Sequence, residues 1–224
     1  MINISENIKN IRSTLPETVK LVAVSKTQLK EFIEEAYKTG QRIFGESKPL
    51  EMRDKYQLLP KDIEWHFIGH LQTNKVKYLV SFVSLIHSVD TFKLLQTINK
   101  EAVKVGRVVP CLLQMHIAKE ETKFGFSFSE IEEFLCSDEF KEMQNVKICG
   151  LMGMATYSED EELIRSEFKY LADCFQNLKE KYFADKEHFK EISMGMSGDY
   201  LLAMEYGSTL IRVGSSIFGE RVYL

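Results

Sequence analysis

The chain has 224 residues, of which 44% are hydrophobic, and a net charge of -4. This composition suits a globular protein with a sizeable core, and the mixing of basic with acidic residues argues against a nucleic-acid-binding surface. The N-terminus does not resemble a signal peptide and the most apolar stretch, 78–86, is too short to cross a bilayer, so we expect a soluble, cytoplasmic protein.

The first predicted element is an N-terminal helix, because Ile4, Ile8, Ile11 and Leu15 recur at helical spacing before Pro16. Strand-like and helical segments then alternate along the chain. Strands are predicted at residues 19–26, 42–46, 63–70, 83–89, 108–117, 146–155, 189–196 and 210–218. Helices are predicted at residues 31–39, 91–105, 128–136 and 159–182, with a short helix at 198–206.

This alternation is typical of a parallel sheet with helices packed outside it. Eight strand-helix repeats predict an α/β fold, a (β/α)₈ TIM barrel with an extra N-terminal helix. A doubly wound open sheet is the alternative. No linker or change of composition divides the chain, so residues 1–224 are expected to form a single domain. Gly40 should end the first outer helix, and Pro49 suits the first turn of the next.

The cysteines are widely spaced, include no C-x-x-C pair and are expected to be reduced. His66 and His70 have the spacing of a metal-binding pair on a helix. The segment around them has the composition of a strand, which would hold the two rings apart, so no metal site is predicted.

Lys26 ends the first predicted strand on the same face as Val22 and Val24, which should point into the barrel. A buried amine is costly unless it is paired, neutralised or covalently bound. Chemistry in such barrels occurs at the carboxyl ends of the strands, where His70 and Ser197 are also expected. Lys26 allows two interpretations. A desolvated amine loses its proton more easily and can attack an aldehyde, whereas a solvated lysine at a strand end would have no such role.

Arg212 alternates with Leu210 and Gly214 toward the predicted barrel interior, where a guanidinium needs an acceptor. The acceptor is either a core carboxylate, such as Glu205 or Asp199, or the ring nitrogen of a pyridine cofactor. Arginine only donates, so it would keep that nitrogen unprotonated and make the ring a weaker electron sink.

The loops after strands seven and eight often bind phosphate in these barrels. Ser197 offers a hydroxyl, Gly214 and Ser215 offer N–H groups, and a helix beginning nearby would add its positive end. Glycine-serine runs are also ordinary turns. Together with Lys26, they favour pyridoxal 5'-phosphate (PLP) bound as a Schiff base on Lys26.

The histidines and methionines of the predicted strands allow two interpretations. His66, Ile68 and His70 share a face, and core histidines are the alternative to a site. Four methionines are expected to pack the core of the barrel or to form a floor under a flat ring; they are Met152, Met154, Met194 and Met196.

Six segments resemble the YggS/PROSC family of PLP homeostasis proteins; they are residues 24–27, 44–46, 65–75, 150–152, 193–199 and 212–221. The resemblance implies a barrel like the N-terminal domain of alanine racemase, with PLP on Lys26. It implies that Ser197, Gly214 and Ser215 hold the phosphate and that Arg212 faces the pyridine nitrogen. Where the family has F-G-E-N-R, this chain has Ser47 in place of the asparagine. The cofactor-binding set is completed by Ser47, His70 and Met152.

The resemblance implies a non-enzymatic role in intracellular PLP homeostasis and supply, with indirect effects on amino-acid metabolism. The alternative is an amino-acid racemase, which needs a second acid-base group on the other face of its substrate. In alanine racemase a second domain supplies a tyrosine for that purpose, and Tyr223 here would be a poor substitute near a terminus. A cofactor-free phosphosugar enzyme would need paired carboxylates, and Glu46 is the only obvious one. PLP, and possible PLP-dependent apoenzymes, are the expected partners of a monomer.

Overall fold

The computed structural model describes residues 2–118 and 124–219, and its parallel strands close into a barrel in sequence order. The prediction of a TIM barrel is confirmed, and a doubly wound open sheet is excluded. The strands are β1 Lys20–Val24, β2 Ile43–Glu46, β3 Glu64–Phe67, β4 Leu85–Val89, β5 Val109–Gln114, β6 Val146–Met152, β7 Glu191–Ser193 and β8 Leu210–Val213.

The predicted N-terminal helix precedes the barrel, and each connection between strands contains helical structure. The helices are α1 Ile4–Ser13, α2 Lys30–Lys38, α3 Pro49–Leu58, α4 Phe92–Lys104, α5 Phe128–Cys136, α6 Asp138–Lys141, α7 Glu161–Tyr182, α8 Tyr200–Glu205 and α9 Ser215–Phe218. A 3₁₀ helix, Thr73–Tyr78, lies between β3 and β4. Gly40 follows α2 with a φ of +86°, and Pro49 begins α3, as predicted.

Several strands end earlier than the sequence predicts. β1, β3 and β7 stop before Lys26, His70 and Ser197, which therefore lie in the loops at the carboxyl end of the barrel, the mouth. The predicted eighth strand is wrong in its second half, because residues 215–218 form helix α9.

The barrel encloses an apolar layer and is surrounded by a larger apolar shell. The layer inside consists of Val22, Leu85, Leu112, Met152 and Leu210, with Met154 packed against it. Met194 is fully buried in the outer shell, as expected of a core residue, whereas Met196 is 37% exposed, so the expectation of core packing is wrong for Met196. Strand alternation places Met194 in the outer shell, since its neighbour Ser193 points inward.

The cysteines Cys111, Cys136, Cys149 and Cys174 are free. Across residues 2–118 and 124–219, none of the helices has the length and apolar character needed to cross a bilayer. The same residues contain no group of three or more histidine, cysteine, aspartate or glutamate side chains placed to hold a metal ion.

Candidate functional site

Lys26 lies in a turn whose backbone is fixed on both sides. The Ser25 carbonyl accepts a hydrogen bond from Lys55 Nζ at 2.8 Å, and the Thr27 amide donates to Glu51 Oε1 at 2.7 Å. Thr27 has a φ of +65°, a left-handed conformation that is rare for a β-branched residue. Lys26 itself is half-buried. The turn therefore fixes the backbone on both sides of Lys26, and it accepts strain at Thr27 to do so.

A buried ion cluster underlies this turn. Lys55 Nζ lies 2.8 Å from Glu46 Oε1 and 2.7 Å from Glu51 Oε1, and Ser25 Oγ donates to Glu46 Oε1 at 2.6 Å. Burial raises the pKa of Glu46, and Lys55 and Ser25 partly oppose this shift. Glu46 is thus committed to Lys55 and is not the free strand-end carboxylate that a phosphosugar enzyme would need. Sequence reasoning missed Lys55, although its i,i+4 spacing from Glu51 in α3 was a signal.

The loops after β7 and β8 meet at the mouth. The Gly214 amide donates to Ser197 Oγ at 3.4 Å, and Ser215 begins α9 directly afterward. A Cβ atom on Gly214 would lie 3.2 Å from Val24 Cβ and 3.3 Å from the Val24 carbonyl oxygen. The candidate phosphate-binding residues therefore lie together, against the strand that leads into Lys26.

Arg212 is buried inside the barrel, as predicted. Its Nη1 donates to Ser193 Oγ at 2.6 Å, and its Nη2 donates to the Gly153 carbonyl at 3.0 Å. Neither predicted carboxylate is its hydrogen-bond partner, because Glu205 pairs with Arg165 on the surface and Asp199 acts on Arg212 only through its charge. Burial lowers the pKa of Arg212 to about 10, so the guanidinium remains charged at neutral pH.

Two buried histidines continue this network. His87 Nδ1 lies 2.8 Å from Ser193 Oγ, and His87 Nε2 lies 2.9 Å from His66 Nδ1. Burial lowers the pKa of His66 to about 3 and that of His87 well below its ordinary value, so both rings are neutral. His66 is therefore a hydrogen-bonded core histidine. Sequence reasoning missed His87 and Ser193, whose inward positions on predicted strands were the available signal.

His70 belongs to the mouth and not to the barrel interior. Its Nδ1 lies 2.9 Å from Asp90 Oδ2, and its ring stacks on Phe124 with centroids 4.3 Å apart. The side chain is 47% exposed, whereas that of Asp90 is 4% exposed. Asp90 directly follows β4 and is a strand-end carboxylate that sequence reasoning missed.

Ser47 and Met152 both lie at the carboxyl end of a strand, but in different surroundings. Ser47 follows β2 and packs against the next loop, since a Cβ on Gly69 would lie 2.6 Å from Ser47 Cβ. Met152 ends β6 and is fully buried in the apolar layer inside the barrel.

The donors at the mouth fit a phosphorylated pyridine aldehyde. Lys26 offers an amine, Ser197 and Ser215 offer hydroxyls, and Arg212 offers a buried guanidinium. A side chain at Gly214 would crowd Val24, and the Gly214 amide points toward the Ser197 hydroxyl, so the two donors lie side by side. The set thus combines an amine, a candidate anion-binding loop and a buried guanidinium at one end of the barrel.

Comparison with known proteins agrees with this fold. Residues 1–222 match the family model for the alanine racemase N-terminal domain. The pyridoxal phosphate homeostasis protein of Aquifex aeolicus is 41% identical over 205 residues, which cover 91% of this chain and 88% of the relative. PipY of Synechococcus elongatus PCC7942, solved with PLP bound, is 34% identical with a TM-score of 0.87, over 97% of this chain and 100% of PipY. An alanine racemase of Clostridium difficile 630 shares the fold, with 14% identity and a TM-score of 0.77, over 99% of this chain and 57% of the racemase.

Proposed function

Because the chain belongs to the family of pyridoxal phosphate homeostasis proteins, we propose that it binds PLP as a Schiff base on Lys26. We further propose that residues 1–224 form one PLP-binding domain that acts in PLP homeostasis and supply. The observation that carries the proposal is the meeting of the fixed Lys26 turn with the Ser197–Gly214 loops. When bound, PLP supplies an aldehyde that condenses with an amine and releases water.

Each candidate residue has a distinct role in this proposal. Lys26 provides the amine, and the Ser197 hydroxyl with the Gly214 and Ser215 amides binds the phosphate. The Arg212 guanidinium donates to the pyridine nitrogen. Three further residues, Ser47, His70 and Met152, line the space around the ring.

Arg212 also supports a carrier over a catalyst. A guanidinium that remains charged can only donate a hydrogen bond, so the pyridine nitrogen facing it stays unprotonated. An unprotonated ring withdraws electrons weakly, which disfavours removal of a proton from a bound amino acid. Tyr223, the alternative second base for racemisation, lies outside the described residues, as do Glu220 and Arg221 of the family motif. We therefore propose that the protein has no catalytic residues.

We also propose that the protein acts in the cytoplasm as a monomer and delivers PLP to PLP-dependent apoenzymes. Its free cysteines, two of them buried, support a reducing compartment. Size-exclusion chromatography with light scattering tests the monomer: a single species near 26 kDa is expected, and a stable dimer would contradict it.

Borohydride reduction tests the attachment site. Protein incubated with PLP, reduced and digested should carry the pyridoxyl label on the peptide that contains Lys26. Lys169→Arg serves as the matched control, because Lys169 lies on the surface in an ion pair with Asp173 and should leave the labelling unchanged. A label on another lysine, or none, would contradict the proposal.

A racemase assay tests the absence of catalysis. The PLP-loaded protein is incubated with single L-amino acids, and D-amino acid formation is followed by chiral chromatography. No turnover is expected above the level of free PLP. Turnover that disappears in Lys26→Ala would favour the racemase instead.

A further inference from the structure

A continuous chain of polar side chains crosses the barrel interior. It begins at Arg212, passes through Ser193 Oγ at 2.6 Å and His87 Nδ1 at 2.8 Å, and reaches His66 by a contact of 2.9 Å. The strand registers place three of the four side chains inside the barrel, and the contacts of His87 with Ser193 and His66 place the fourth there. In these parallel pairs Arg212 lies opposite Val22, His66 opposite Leu85 and Ser193 opposite Met152, and each of those partners belongs to the interior apolar layer.

This row of polar side chains ends at the opposite side of the barrel from Lys26. His66 lines a cavity of about 500 Å³ together with Lys20, Glu64 and Leu210, which begin β1, β3 and β8. The polar chain therefore connects the candidate PLP site with the amino-terminal end of the barrel.

The hydrogen bonds along these polar side chains can point in only one direction. Arg212 has donors and no acceptor, so Ser193 Oγ accepts from it, and the single Ser193 proton must go to another acceptor. Among the residues that the structure describes, the other hydrogen-bond neighbour of Ser193 Oγ is His87 Nδ1. If His87 Nδ1 carried a proton instead, the Ser193 hydroxyl would have no acceptor in a fully buried position.

We infer that Ser193, His87 and His66 are positioning residues for Arg212, locked in one proton arrangement with both histidines as Nε2–H tautomers. Ser193 donates to His87 Nδ1, and His87 Nε2–H donates to His66 Nδ1. Ser193 and the Gly153 carbonyl thereby hold the guanidinium from one side. On the proposed function, the remaining N–H groups of Arg212 are held toward the pyridine nitrogen.

The charges around the chain support neutral histidines. Burial is the largest cause of the lowered pKa of both rings; the charge of Lys20 adds to it at His66, and His66 and Arg212 add to it at His87. Burial lowers the pKa of Arg212, and the charge of Asp199 partly opposes that shift, so the guanidinium is charged at neutral pH. Among these four polar side chains, Arg212 alone carries a fixed positive charge, and it lies at the end nearest the mouth.

Nitrogen NMR of the histidine rings tests the proton arrangement without PLP. Long-range proton-nitrogen spectra of the ¹⁵N-labelled full chain at pH 7 should show Nε2–H tautomers for His66 and His87, assigned with the His66→Leu and His87→Leu variants. A protonated Nδ1 or a charged ring at His87 would overturn the inference. This result is independent of PLP, so it can fail while PLP labelling of Lys26 succeeds, and it can succeed while that labelling fails.

Substitution of Ser193 tests the effect on Arg212. Ser193→Ala should move the nitrogen resonance of bound ¹⁵N-PLP and weaken PLP binding by about tenfold, the usual scale for loss of a hydrogen bond to a charged group. Ser193→Thr keeps the hydroxyl and should restore both readouts. Leu112→Val alters the barrel interior at a residue that does not belong to the row of polar side chains, and it should leave both readouts unchanged. If Ser193→Ala matches Leu112→Val in both readouts, the positioning role is refuted.

Discussion

The buried contact between Lys55 and Glu46 should be essential for stability. The Lys55 side chain is 10% exposed and that of Glu46 is 0% exposed, and Nζ contacts the carboxylate at 2.8 Å. Lys55→Met removes the cation but leaves Glu46 in place, beside Glu51. Loss of one partner from a buried pair costs about 3–5 kcal/mol, and we expect about 3 kcal/mol because Glu46 can take up a proton.

The pH dependence of this loss follows from the pKa of Glu46. Burial raises that pKa above 4.5, so between 4.5 and the folded value the native state binds more protons than the unfolded state. Stability therefore falls as the pH rises through that window. Removal of Lys55 takes away the main opposing influence, so the pKa rises further and the window widens upward. The deficit of Lys55→Met should be larger at pH 8 than at pH 5.

Urea unfolding at both pH values measures the deficit. Lys169→Met is the matched control, because Lys169 forms an ion pair of 2.6 Å with Asp173 while its side chain is 64% exposed, and no measurable loss is expected. The double variant Lys55→Met with Glu46→Gln should recover part of the stability at pH 8. A loss below about 1 kcal/mol at pH 8, or one that does not depend on pH, would refute the argument.

Two backbone predictions can be measured by the same unfolding assay. Thr27→Gly should change stability by less than about 1 kcal/mol, because glycine adopts the left-handed conformation without strain, whereas Thr27→Val should lose about 1 kcal/mol with the hydroxyl contact to the Lys26 carbonyl. Equal effects of the two variants would contradict this reasoning. Gly150→Ala should cost several kcal/mol, because its Cβ would lie 1.8 Å from the Glu191 carbonyl oxygen at a φ of +148°. Gly198→Ala meets no atom within 4 Å and should be nearly neutral; a similar loss in both would show that the close contact is not the cause.

The barrel was predictable because its signals are local. Each strand is a short apolar run, and the helices between the strands carry their own end signals, such as Pro49 at the start of α3. The strand ends were less predictable. Residues after Phe67 and Ser193 retain a strand-like composition, yet the regular strands end there, although backbone bonds to neighbouring strands continue at Ile68 and Gly195. The end of the eighth predicted strand forms α9 instead.

The mouth residues were found because position in a barrel determines which end a side chain occupies. Lys26, Ser197 and Gly214 follow β1, β7 and β8, so their proximity follows from strand order alone. The supporting networks could not be found in this way. Lys55 bonds to Ser25 across 30 residues, and His87 contacts Ser193 across 106 residues, and only the closed barrel brings these partners together.

The composition of the barrel interior itself indicates that the polar chain serves a ligand. Apolar side chains fill one layer, and they would stabilise the remaining layers at lower cost than two histidines, a serine and an arginine. Buried polar groups are tolerable only when each has a hydrogen-bond partner. Among the described residues, the buried side-chain atoms that lack a partner are Glu46 Oε2 and Trp65 Nε1, and neither belongs to the polar chain. A polar chain whose hydrogen bonds are all made stabilises the barrel no more than apolar packing would. We therefore infer that it is retained because it fixes the orientation of Arg212. On the proposed function, a carboxylate at that position would stabilise a protonated pyridine ring and strengthen its withdrawal of electrons, whereas a guanidinium held there would keep the ring nitrogen unprotonated.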